Sequence, residues 1–203
     1  MTTIDLPQVL DEMHSYIRCA VAGGFDTPEE IVEGAVYYLE DQADPALLQP
    51  HAERMVREVV QEHLREQAGW PAVTDCDRLD RAFAALEQAG IVCRQNFACC
   101  GTCGAAEIGD EMVRFERQGI VARGYTFFHQ QDTEAAVDGA GLYLNYGAAE
   151  TGEAAGVAIG REIEAALQQQ GLETVWSGKL SQRIFVRLHW QRRLAVQGLG
   201  VGG

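Results

Sequence analysis

The hydrophobic rhythm of this chain changes once, at Gly69-Trp70-Pro71, and that change constrains the fold more than any other feature. Before it, apolar residues recur every three or four positions, the period of an amphipathic helix. Leu6, Val9, Leu10, Met13, Ile17 and Val21 form one stripe, stopped by Gly23-Gly24. Thr27-Pro28-Glu29-Glu30 is a capping box with proline at the first helical position, and it opens a helix carrying Ile31, Ala35 and Leu39. A loop is expected around Pro45 and Pro50, then a third helix over 51–68 with Met55, Val56, Val59, Val60 and Leu64 inward. Those stripes are too long to leave in water, so the helices should pack on the rest of the chain or on another subunit.

After the break the pattern alternates. Thr74-Asp75-Cys76-Asp77 caps a helix that ends before Gly90. Strands are expected at 91–98, 120–129, 141–147, 172–176 and 183–188, with helices at 104–118 and 153–170 between them. From residue 91 the order is β-α-β-β-α-β with one further strand. That order predicts an α+β domain built on a ferredoxin-like, split βαβ sheet, mostly antiparallel, with its helices on one face. Three regions follow: a helical region 1–70 packing on the rest, an α+β domain 71–192, and a flexible tail 193–203.

Charge narrows the partners. The net charge is −14, and residues 1–70, with 14 acidic and 4 basic side chains, carry −10 of it. Such a surface repels phosphate backbones, so no nucleic acid is expected. No apolar run nears the roughly 18–20 residues that span a bilayer, and the start Met1-Thr2-Thr3-Ile4-Asp5 is unlike a signal peptide. A cytoplasmic protein without a membrane partner is therefore expected. A protein partner or a homo-oligomer through the N-terminal helices is the expected association.

Six cysteines are present: Cys19, Cys76, Cys93, Cys99, Cys100 and Cys103. In a reducing compartment a close trio points to metal or thiol chemistry rather than a disulfide framework. Cys76 and Cys93 read as small buried side chains. The trio lies in Cys99-Cys100-Gly101-Thr102-Cys103-Gly104, between a strand and the start of a helix, where free amides favour a thiolate. Cys100 and Cys103 have the two-residue spacing of redox dithiols and zinc knuckles. In extended backbone Cys99 and Cys100 would point opposite ways, so one of the two is expected in any site.

A second cluster, His129-Gln130-Gln131-Asp132-Thr133-Glu134, offers an imidazole and two carboxylates, which borderline metals accept together. Asp132 is also a candidate cap for a short helix at 133–138. In a split βαβ unit both clusters lie at one sheet edge, with one strand between theirs and the two axes about 10 Å apart. The expected metal-ligand set is Cys99, Cys100, Cys103, His129, Asp132 and Glu134, with zinc as the expected cofactor. Arg183, Arg187, Arg192 and Arg193 read as a solvated basic face or a partner for the acidic helices rather than an anion site; Tyr143, Tyr146 and Trp176 read as sheet packing.

Thr74-Asp75-Cys76-Asp77-Arg78-Leu79-Asp80, Asn96–Gly104, Gly124–Glu134 and Leu142–Gly147 together resemble an uncharacterised bacterial domain-of-unknown-function family. The resemblance covers about residues 70–192. It implies no activity, and it directs attention to the two loops. Three functions remain open. The first is a binding or regulatory protein with a cysteine/histidine, zinc-type site. The second is a thiol oxidoreductase using Cys100 and Cys103. The third is a metal-dependent hydrolase with Asp132 or Glu134 as base to a metal-bound water.

Overall fold

A computed structural model describes residues 5–194. They form seven helices and a five-stranded sheet, in two compact units. No helix among the described residues is long and apolar enough to cross a membrane.

The first unit comprises residues up to Pro71 together with a return segment from Gln191. Its helices are α1 (Leu6–Gly23), α2 (Pro28–Leu39) and α3 (Pro45–Gln67). The expected stripes make one core, with Met13, Ile17, Val21, Ala35, Leu39, Leu48 and Ala52 fully buried. Thr27 caps α2 as a capping box: its hydroxyl accepts from the Glu30 amide at 3.2 Å, and the Glu30 carboxylate accepts from the Thr27 amide at 2.8 Å. The expected loop over Pro45 and Pro50 is instead the start of α3. Pro45 opens the helix behind an Asp44 cap, and Pro50 sits within it. Pro45 takes the first helical position, where a missing N–H costs nothing, whereas Pro50, the sixth residue, removes one intrahelical bond.

From the segment expected to be a flexible tail, the Arg193 guanidinium donates to the Pro71 carbonyl at 2.5 Å. The Leu194 amide donates to the Gln67 side chain at 2.9 Å. Residues 195–203 lie outside the described residues.

The second unit, residues 72–190, contains α4 (Asp75–Gln88), β1 (Ile91–Arg94), α5 (Gly101–Glu116), β2 (Gly124–Phe127), α6 (Gln130–Val137), β3 (Leu142–Ala148), α7 (Glu153–Gln169), β4 (Glu173–Val175) and β5 (Ile184–Arg187). The sheet order is β1-β2-β3-β5-β4. It is a mixed sheet, which corrects the mostly antiparallel, ferredoxin-like expectation. β1 and β2 pair directly and in parallel, from Ile91 opposite Gly124 to Arg94 opposite Phe127. β3 then adds to the other side of β2, antiparallel, after the α6 helix. A plain βαβ unit and a split one share the same element order, so order alone could not separate them. Two strands expected about 10 Å apart are thus neighbours, about 4.8 Å apart.

The helices also divide between two faces, not one. Val92, Tyr125 and Phe127 pack with Ile108, Met112 and Phe115 of α5. Gly124, whose side faces the other way, lies against Ile159 of α7. α4 and α7 pack together on that second face, over buried Ile91, Leu144 and Ile184. α5 packs chiefly over β1 and β2. On the same face of β3 and β4, Tyr143 and Val175 keep 42% and 49% of their surface exposed, so this half of the sheet is open.

Candidate functional site

The site begins where β1 ends. Residues 95–100 form a tight loop in which two non-glycine residues, Asn96 at φ 50° and Ala98 at φ 58°, adopt the left-handed conformation. An alanine there is disfavoured by its Cβ. The loop is held by the segment after β2. The Phe97 amide donates to the Phe128 carbonyl at 2.8 Å, and the Gln130 amide donates to the Ala98 carbonyl at 3.2 Å. The Thr133 hydroxyl donates to the Asn96 side-chain carbonyl at 2.8 Å. The two loops singled out in the sequence are therefore laced together, through strand adjacency rather than across a third strand.

The sulfurs of Cys99 and Cys100 nevertheless converge on Cys103. Cys99 and Cys103 sulfurs are 3.4 Å apart, Cys100 and Cys103 sulfurs 3.7 Å. All three lie within 4.8 Å of one another, with Cys99 exposed and the other two half-buried. The expectation that one of Cys99 and Cys100 would stand outside the site is corrected: both belong. All three are free thiols.

Their acidities differ. Cys100 is the N-cap of α5, and the backbone amide of Cys103, then the Cys103 thiol and the Thr102 amide, hold its thiol below the usual range. Cys103, at the third helical position, is pushed up to about 11, because its proton is shared with Cys99 and Cys100 and two neighbouring thiolates would repel it. Of these two, Cys100 ionises before Cys103.

His129 and Asp132 form a capping box at α6, so the helix starts at Gln130 rather than 133 and its cap is the histidine. The Asp132 amide donates to His129 Nδ1 at 3.3 Å, and the Asp132 carboxylate accepts from the His129 amide at 3.3 Å. An Nδ1 that accepts leaves the proton of the neutral ring on Nε2, which lies 3.0 Å from Asp132 Oδ2. Burial, with the Arg183 charge, lowers the His129 pKa against the opposing pull of Asp132 and Glu134. Arg183 Nη1 donates to both Asp132 oxygens, at 2.9 and 3.2 Å, while its guanidinium lies 4.6 Å from the Tyr143 ring. Glu134 is exposed.

Among the described residues the close thiophilic group is Cys99, Cys100 and Cys103; His129, Asp132 and Glu134 are not in it. The imidazole is nevertheless a near neighbour, since a side chain at Gly101 would come within 3.5 Å of His129 Nε2. Two residues escaped the sequence reading as site residues. Asn145 stands opposite Phe127 on the face that α5 covers, and its buried amide nitrogen has no hydrogen-bond partner. Arg183, read as part of a solvated face, neutralises buried Asp132 instead. The period-two alternation of β3 was the available signal for Asn145, because it sets residues 143, 145 and 147 on one face.

Residues 7–194 match the family described as "Domain of unknown function (DUF6891)". No curated protein and no solved structure matches the chain.

Proposed function

The chain belongs to the DUF6891 family, so its function must be read from its own geometry, and we propose that it is a binding protein whose Cys99, Cys100 and Cys103 hold a thiophilic metal ion. The observation that carries this is the spacing of the sulfurs. Zn–S bonds of about 2.3 Å place neighbouring sulfurs about 3.8 Å apart around a tetrahedral ion. Two of the pairs here stand at 3.4 and 3.7 Å. The N-terminal end of α5 lowers the cost of gathering negative charge at that point. Zinc is the ion anticipated from the sequence, and a binding or regulatory role in the cytoplasm is the setting it fits. Protein purified under reducing conditions without added metal, then titrated with zinc against a chromophoric chelator, tests the reading. One equivalent of zinc bound by the wild type and lost in Cys100→Ser supports it; a reduced, folded protein that takes up neither zinc nor Cu(I) rejects it.

A second reading rests on a separate observation, the placement of Cys100 at the helix N-cap with Cys103 one turn on. That arrangement suits a thiol oxidoreductase in which Cys100 attacks and Cys103 resolves. Joining the two sulfurs releases two protons and two electrons, which reduce one glutathione disulfide to two glutathione thiols. A glutathione redox titration followed by mass spectrometry decides it: a reversible Cys100–Cys103 bond near cytosolic poise supports the reading, and its failure to form in the folded protein rejects it. The hydrolase reading has less support, because Asp132 is tied to Arg183 and to the cap of α6.

A further inference from the structure

We propose that the cysteine trio is built for a three-coordinate, soft monovalent cation, Cu(I), rather than for zinc; the inference rests on the thiolate-site reading above. Zinc in proteins takes four ligands in structural sites, or three and a water in catalytic sites that include histidine. Here the chain offers three donors of one kind. They come from a single five-residue stretch and lie within 4.8 Å of one another, and no fourth histidine, cysteine or carboxylate among the described residues joins them.

The nearest candidate for a fourth ligand is His129, and its nitrogens are already engaged. Nδ1 accepts from the Asp132 amide, which puts the neutral ring's proton on Nε2, and Nε2 faces Asp132 Oδ2 at 3.0 Å. To reach a metal through Nε2, the ring must move its proton to Nδ1 and break the cap of α6. Asp132 cannot substitute, since Arg183 and the His129 amide occupy its oxygens. Three sulfurs with no oxygen or nitrogen ligand grouped with them form a soft ligand set, and soft thiolates select Cu(I). Cys99 is exposed, so the ion would sit at the surface, where a second thiol ligand can reach it and exchange can occur.

The test uses the full reduced chain under anaerobic conditions, with Cu(I) supplied as its bicinchoninate complex and zinc supplied as the aqueous ion. The expected result is one Cu(I) withdrawn from the complex and X-ray absorption showing three sulfur neighbours and no nitrogen. Zinc should be held no more tightly than about micromolar. Serine at Cys99, Cys100 or Cys103 should each weaken Cu(I) binding at least as much as the about 10–100-fold typical of losing an outer-shell partner. His129→Ser, which keeps an oxygen to cap α6, should leave it unchanged. Nanomolar zinc in a four-ligand shell, or a His129→Ser loss as large as that of the cysteine variants, would overturn the Cu(I) assignment while leaving a thiolate metal site in place. Binding of neither ion by protein that is folded by circular dichroism would overturn both.

Discussion

The helical unit and the α+β unit solve the problem of buried polarity in different ways. In the first, the core is a set of aliphatic stripes, and buried His63 meets a backbone carbonyl, that of Arg192, at 3.3 Å. In the second, Thr74, Thr126, His129, Asp132 and Thr133 are all buried, and most are bonded to partners that hold a loop or cap a helix. The difference teaches that the first unit is specified chiefly by local periodicity, and the second also by a set of buried polar pairings, some of them, such as Thr133 with Asn96 and Asp132 with Arg183, between segments tens of residues apart. Buried polar groups of this kind are costly unless every partner is in place, so they fix one arrangement of loops.

The largest expected effect lies in the aliphatic core. Leu48→Ala should cost about 2–5 kcal/mol in urea unfolding, as deletion of a fully buried leucine does. A loss under 1 kcal/mol would deny that the helical unit depends on its stripes. Next comes Asp132→Ala, which strands Arg183 and the His129 amide. We expect a loss of about 1.5–3 kcal/mol, the range for hydrogen bonds to a charged group, held below a fully buried pair by the half-exposed Arg183.

His129 adds a pH dependence. Its folded pKa lies below its unfolded value of 6.5, so the unfolded chain binds more protons and stability falls as pH drops through and below 6.5. Melting curves from pH 7.5 to 5.5 should show this decline, and His129→Ser should flatten it; an unchanged slope in the variant would assign the effect elsewhere. The capping boxes supply a matched pair. Thr27→Ala and Thr74→Ala each remove the same reciprocal cap, at about 0.5–2 kcal/mol, with Thr74 expected at the upper end because it is buried. Equal losses would show that burial adds nothing to the cap. The smallest effect has the opposite sign: Ala98→Gly should raise stability by about 0.5–1 kcal/mol, since glycine takes the left-handed turn without strain. A destabilised variant would mean that the alanine methyl packs usefully.

The three helices and their stripes were legible because Met13, Ile17 and Leu39 declare a face by spacing alone. So were the Thr27 and Thr74 caps, whose partners sit three residues away. The cysteine trio was legible as a cluster for the same reason. Its geometry was not: nothing local says that Asn96 and Ala98 adopt a positive φ, or that the sulfurs of Cys99 and Cys100 both turn toward Cys103. Nor was the parallel pairing of β1 with β2, since the sequence order suits a split unit equally well. Arg183 was the furthest from view, because its partner Asp132 is 51 positions away and the pair exists only once β3 and β5 are zipped.

The lacing of residues 95–100 to 128–133 has a consequence for biosynthesis. The Phe97 and Ala98 backbone groups find their partners at Phe128 and Gln130, about thirty residues later in the chain. On the ribosome, the cysteines emerge before the segment that bends their loop exists. During that interval they are three unrestrained thiols on a nascent chain, open to any oxidant or stray ion. The receptor-like arrangement comes into being only when translation has passed residue 130 and β2 has docked beside β1. The sulfur cluster therefore belongs to the finished domain, and on the metal-site proposal loading would follow the docking of β2 beside β1.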